Sequence, residues 1–343
     1  QVNSFLDTDD TVCDVANCTL REAINAANAT PTDDIIDFAG PGTIVLGGDL
    51  PALAPGTGTL VINGGGAIVI DGNAVAATAI TINSDGNSIF GLQIQNLTGS
   101  AIIIDGGANN IIGGTVAGQR NLIFDNGGSG ILITGAASIG NTIVNNVIGT
   151  NALGIPGIGN AVGVNVVNGA NGNFIGTLGG GNIISGNVGA GVVVTNATTN
   201  TINGNFIGTN LAGTAALTNG TDGVLINAGS SGNFVNGNIL SGNTNDGLEI
   251  SGGATTNTIS GNFIGLDVSG NLAVANGAQG INLIGAINNQ INNNTIAGNT
   301  LNGVLITNGG VNSSDNIITA NVIGRPVGNG DAGIRIANAV SSV

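Results

Sequence analysis

The side chains best able to do chemistry in this chain are a handful of carboxylates. Through the repetitive part of the sequence the acids stand apart from one another: Asp222, Asp246, Glu249, Asp267 and Asp315. Asp222 and Asp246 each sit immediately before a glycine that opens a short apolar run, Gly223-Val224 and Gly247-Leu248. That equivalence puts them one repeat apart on one face, with Glu249 on the strand that follows. Glycoside hydrolysis needs two carboxyl groups facing one cleft, and this is the best set the repeats offer. Solvated corner residues are the plainer reading, and no catalytic residue is assigned. Histidine is absent, so no Ser–His–Asp or Cys–His arrangement can form. Tyr and Trp are absent too, and the Phe side chains of the repeats read as buried, which leaves no platform for stacking sugars. Arg120, Arg325 and Arg335 are too scattered to supply the cationic base of a polysaccharide lyase.

A second group of acids lies near the start. Asp7, Asp9, Asp10 and Asp14 are followed by Asp33, Asp34 and Asp37, a density of hard oxygen ligands able to hold calcium. The spacing matches neither an EF-hand loop nor the nonapeptide calcium repeat, and a plain acidic surface patch is the alternative. No other cofactor is expected. Cys13 and Cys18 are the only cysteines; a small disulfide is the natural reading in an exported protein, with two reduced thiols as the alternative. The formal net charge is −15, with four arginines and no lysine. Binding to nucleic acid phosphates or to an anionic bilayer surface is therefore not expected. No run of about 20 apolar residues could cross a membrane as a helix.

The elements that must position these groups are repeats. One series begins at Asn141-Thr-Ile, Asn200-Thr-Ile, Asn257-Thr-Ile and Asn316-Ile-Ile, each followed by Asn, an apolar pair and Gly. The period is about 58 residues and holds two coils. A second series runs through Asn182, Asn238 and Asn294. A third recurs twice as often, as a Gly before alternating apolar residues, for example Gly191-Val-Val-Val and Gly223-Val-Leu-Ile. Each coil thus carries three brief apolar runs, too short for helices, separated by Gly and Asn corners. The chain reads as an all-β, right-handed parallel β-helix with three strands per coil and roughly ten coils, a rod about 50 Å long. Stacked coils supply the core that one coil cannot bury. Asn205, Asn262 and Asn321 recur at one corner and are expected to form an amide ladder. Phe206 and Phe263 share a repeat position and are expected to stack inside.

Residues 19–29 form the one convincing helix. Thr19 and Glu22 have the spacing of a capping box, Leu20, Ala23, Ile24 and Ala27 make an apolar stripe, and Pro31 stops it. Residues 1–40 are read as a cap over the first coil and residues 41–343 as the β-helix. No lid is visible at the other end, where the chain runs to Ala339-Val-Ser-Ser-Val343.

Cys18-Thr-Leu-Arg-Glu-Ala-Ile24, with Ala26-Ala-Asn28 after it, resembles the CSLREA motif, Thr replacing Ser at the second position. Asp7-Thr-Asp-Asp10 and Cys13 suit that family. The resemblance covers about residues 5–30. It implies a secreted or surface protein of bacteria or archaea whose motif precedes right-handed β-helix repeats, with adhesive or structural roles. The expectation is therefore a secreted, extracellular or cell-surface structural or adhesive protein and not an enzyme. Self-association into a head-to-tail filament through the uncapped strand edge is expected, and surface glycans are a further expected partner. Two alternatives stand beside it: a polysaccharide lyase or glycoside hydrolase of β-helix type, and a carbohydrate- or ice-binding module.

Overall fold

A computed structural model describes residues 1–54, 56 and 58–337. The helix Leu20–Asn28 comes first. Thr19 accepts the Glu22 backbone N–H and the Glu22 carboxylate accepts the Thr19 backbone N–H, so both free donors of the helix start are satisfied. Leu20 and Ile24 are fully buried against the first strands. Arg21 ties this cap down: its guanidinium grips the Asp7 carboxylate and donates to the carbonyls of Gly48 and Asp49. Cys13 and Cys18 are joined by a disulfide.

Beyond the cap, every strand pair of the sheets is parallel, and the chain winds as a parallel β-helix. One coil shows the unit: Val192–Thr195 on a first face, Thr201–Asn203 on a second, Phe206–Ile207 on a third. The first face stacks ten strands, from Ile80–Ile82 to Ile334–Ala337. The other two faces merge into one sheet because the early strands Leu60–Asp71 and Ser88–Gln95 run through both. Alternation along each strand decides what fills the interior: Val192, Val194, Ile202 and Ile207 point in and are fully buried. Their neighbours on adjacent coils repeat the same types, so the core is a continuous column of Ile, Val and Leu. The open-edge expectation for residues 339–343 lies outside the described residues.

The corners explain the Asn and Gly content. Three amide ladders run along the axis, one at each of three corners of the coil. In one, Asn182, Asn205, Asn238, Asn262, Asn294 and Asn321 are consecutive rungs. Asn205 Nδ2 donates to Asn238 Oδ1 at 3.0 Å and to the Ile175 carbonyl at 2.7 Å, while Asn238 Oδ1 also accepts the Asn205 backbone N–H at 2.9 Å. The second passes through Asn173, Asn200, Asn233 and Asn257, and the third through Asn187, Asn219, Asn243 and Asn276. Each satisfied bond contributes about 1 kcal/mol net, and a missing partner costs more than that. The glycine that opens each first-face strand has a steric cause. A Cβ on Gly223 would lie 2.5 Å from the carbonyl oxygen of Gly247, and one on Gly247 would lie 2.7 Å from that of Gly280.

The expectation for Phe206 and Phe263 is corrected. They are two coils apart with Ile239 between them in register, and they face outward, so the rings do not stack inside. Short hairpins fold over them: the Thr209–Ala216 turn places Gly213 against the Phe206 ring, and the Leu266–Ala273 turn places Gly270 against Phe263. Nor are all Phe buried. Phe174 is 43% exposed and Phe234 49% exposed on the second face.

Candidate active site

Asp222, Asp246 and Glu249 come together on the first face, in the middle coils. Asp222 and Asp246 hold the corner position just before the strands Val224–Asn227 and Leu248–Ser251. Those strands pair in register, Val224 with Leu248 and Leu225 with Glu249. The stacking that aligns the glycines therefore aligns the two aspartates. The Asp246 backbone N–H donates to Asp222 Oδ1 at 3.1 Å. Glu249 occupies an outward position of its strand and lies beside Asn282 of the next coil. One carboxylate oxygen from each of the three acids lies within 4.8 Å of the others.

The corner continues as a column of polar side chains. Asp246 Oδ1 accepts the Gln279 backbone N–H at 2.7 Å and Asp246 Oδ2 accepts Asn282 Nδ2 at 2.8 Å. Gln279 Oε1 in turn accepts both the backbone N–H and the side-chain amide of Asn302, each at 2.9 Å. The position is acidic on two coils and an amide on the two that follow. Asn282 is buried, and its Oδ1 has no hydrogen-bond partner.

Burial sets the electrostatics. Asp222 and Asp246 are only 7% and 4% exposed, while Glu249 is half-buried and the most open of the three. Loss of water, reinforced by repulsion from Asp246 and Glu249, pushes the Asp222 carboxyl up to about 6. Burial also raises Asp246, partly offset by the donors from Asn282 and Gln279. Glu249 is raised by burial and by the Asp246 charge. Among the described residues no arginine pairs with any of them. Arg21 is paired with Asp7, Arg335 with Asp331, and Arg120 hydrogen-bonds Asn145. Asp222 therefore keeps its proton to a higher pH than an ordinary carboxyl, up to about 6. The group therefore holds a proton donor beside a proton acceptor.

Glu249 is the member of the trio that reaches solvent, from an outward position of the first face. A surface hollow of about 550 Å³ lies elsewhere, bordered by Ala54, Asn83, Asp85 and Asn109.

The N-terminal acids do not converge in this way. Asp7 is taken by Arg21, and Asp9 accepts the Thr11 N–H and the Asn25 amide. Asp10 accepts the Val12 N–H and the Asn17 amide, and Asp14 the backbone of Ala16 and Asn17. These carboxylates cap local turns, and the group expected to hold calcium is not assembled among the described residues. Sequence reasoning placed Asp222 and Asp246 on one face but took them as solvated corners. It missed Asn282, which only its register with Glu249 brings to the site.

Residues 78–264 match the family described as "Right handed beta helix region". No curated protein sequence matches the chain. Among solved structures, the chain is similar to the A-module of mannuronan C-5 epimerase AlgE4 from Azotobacter vinelandii. The identity is 15%, the TM-score 0.54, and 94% of this chain and 91% of that one are covered. The AlgE6 A-module of the same organism gives 17%, a TM-score of 0.51 and 100% of both chains. The Dettilon tailspike protein gives 14%, a TM-score of 0.55, and 93% of this chain over 64% of that one. At these identities the likeness is one of fold. The expectation of a non-enzymatic structural or adhesive protein, built as a filament subunit, is nonetheless corrected. The matched folds belong to epimerase modules and a tailspike, and of the convergent acids taken as solvated corners Asp222 and Asp246 are buried.

Proposed function

We propose, from the premise that this chain belongs to the right-handed β-helix family, that it hydrolyses glycosidic bonds of a neutral polysaccharide at Asp222, Asp246 and Glu249. The observation that carries this reading is the convergence of two buried carboxyls, Asp222 and Asp246, with the half-buried Glu249, none of them paired with an arginine among the described residues. In the proposed reaction Asp222 gives its proton to the glycosidic oxygen as the C1–O bond breaks. Glu249, the most open carboxylate, attacks C1 and forms a glycosyl ester. A water molecule then hydrolyses that ester, passing its hydroxyl to C1 and its proton back to Asp222. Asp246 acts as a positioning residue: Gln279 and Asn282 fix both its oxygens, and its charge holds the proton on Asp222. The close approach of the carboxyls corresponds to the retaining class, since an inverting pair must leave room for water between its carboxyls.

Substrate charge follows from the same groups. With a net charge of −15 and no arginine paired with the trio among the described residues, the protein's own charges favour a neutral polymer over an anionic one. Export is part of the proposal, supported by the disulfide of the cap and by the CSLREA-like segment at Cys18–Asn28.

The test is release of reducing ends from a panel of neutral glucans, mannans, xylans and chitin fragments. The expected result is cleavage with retention of the anomeric configuration by proton NMR, and at least a 100-fold loss in Asp222→Asn and in Glu249→Gln. No cleavage of any member, cleavage unaffected in both variants, or products bearing a new unsaturated chromophore would refute hydrolysis by this trio.

A further inference from the structure

The carboxyl trio has a fourth polar neighbour with an unmet need. Asn282 stands beside Glu249 in strand register on the next coil, and its Nδ2 donates to Asp246 Oδ2 at 2.8 Å, so its amide is turned into the cluster. The residue is only 9% exposed, yet its Oδ1 is buried without a hydrogen-bond partner. A buried amide oxygen left unpaired weakens a fold and calls for an explanation. Here it is an acceptor set beside three more acceptors, the carboxyls of Asp222, Asp246 and Glu249, with which no arginine pairs among the described residues. A single group that answers all four at once must be a cation.

We infer that Asp222, Asp246, Glu249 and the Asn282 carbonyl form a calcium site. One oxygen from each acid lies within 4.8 Å of the others, and calcium, with bonds of about 2.3–2.6 Å, spans ligand oxygens up to about 5 Å apart. The donors are all hard oxygens, with no nitrogen or sulfur ligand to favour zinc or copper. Asp222 and Asp246 are each pinned by a backbone N–H from the next coil. They are therefore held back from closing into the tight octahedron, at about 2.0–2.1 Å, that magnesium demands. Rotating the Asn282 amide exchanges Nδ2 for Oδ1 beside Asp246 and gives up only the bond to that carboxylate. The half-open side at Glu249 leaves room for water to complete the shell. An ion held here occupies the proposed acid, Asp222, and the proposed nucleophile, Glu249, together, so calcium shuts cleavage off. Only that last consequence rests on the hydrolase reading; binding of the ion does not.

The test is isothermal titration calorimetry and thermal unfolding of the full chain, stripped with EGTA and titrated with calcium chloride or magnesium chloride at pH 7.5. One calcium per chain is expected, with a thermal midpoint that rises as calcium is added and magnesium binding at least tenfold weaker. Glu249→Gln and Asn282→Ala should each weaken calcium binding at least tenfold. The second leaves the net charge unchanged, so a diffuse acidic surface would not register it. Asp9→Asn, among the N-terminal acids whose oxygens cap local turns, should bind like the parent. Absence of saturable calcium binding, or an affinity unchanged in either Glu249→Gln or Asn282→Ala, overturns the site. Calcium should also inhibit glycan cleavage over the concentration range in which it binds, with EGTA restoring activity, and cleavage that persists or rises at saturating calcium overturns the block. Trio-dependent calcium binding with no cleavage of any glycan would keep the site and refute the hydrolase reading, and cleavage without trio-dependent calcium binding would do the reverse.

Discussion

The amide corners and the acidic corner of the coil are built on one backbone plan and filled differently. In an amide corner a rung such as Asn205–Asn238 has a neutral donor and a neutral acceptor at every step, with the backbone N–H sharing the acceptor. In the acidic corner the same kind of axial bond runs from Asp246 N–H to Asp222 and from Gln279 N–H to Asp246, but the acceptors are carboxylates with little water around them. Gln279 and Asn302 show that amides fit the position two coils further on. Neutral side chains would therefore serve the fold at least as well as Asp222 and Asp246. Carboxyls kept where they weaken the fold are a mark of function rather than of architecture.

Making an amide corner acidic is the severest way to break this contrast. In Asn238→Asp the new carboxylate would replace an NH₂ that donates to Asn262 Oδ1 and to the carbonyls of Ile202 and Asn236. A buried charge facing three acceptors should cost about 3–5 kcal/mol at pH 7 by chemical denaturation, and a cost under 1 kcal/mol would mean the ladders are incidental. The reverse change, Asp222→Asn, should stabilise the protein by about 2–3 kcal/mol at pH 7 while abolishing cleavage.

That gain has a defined pH range. Asp222 binds its proton more tightly in the folded protein, at about 6, than in the unfolded chain, at 3.8. Its penalty is therefore absent below about pH 4, grows as pH rises through 6, and is complete above it. Parent and Asp222→Asn should have equal stability at pH 3.5 and diverge by pH 7, and parallel stability curves would contradict the assignment. Cleavage should decline as pH rises through about 6, as the proton donor is lost. The smallest effect on stability belongs to Glu249→Gln, within about 1 kcal/mol at any pH because the side chain is half open to water, although activity should fall as steeply as in Asp222→Asn.

The contrast also marks where sequence ceases to suffice. The coil was legible because β-branched runs, glycine before each first-face strand and Asn at the corners recur with the period that stacking demands. The alignment of Asp222 with Asp246 followed from the same period. Their burial did not, because their side-chain partners come from later coils: Asp246 itself for Asp222, and Gln279 and Asn282, more than 30 residues on, for Asp246. The phenylalanines were misread for a related reason. Asn173-Phe174-Ile175 and Asn205-Phe206-Ile207 are the same tripeptide, yet one lies on the second face and the other on the third. Only the hairpin that folds over Phe206 makes that ring a covered one, and nothing local to the tripeptide announces it.

The column of glycines described above, each closed against the carbonyl of the next, also bears on how such a chain can change over generations. Because every level presents its neighbour with the same shape and the same pattern of donors and acceptors, a whole level can be duplicated or deleted while those that remain still meet an equivalent partner. The reach of the rod can thus be adjusted in steps of about 4.8 Å, while a single residue inserted inside a strand would turn its apolar side chains out to water.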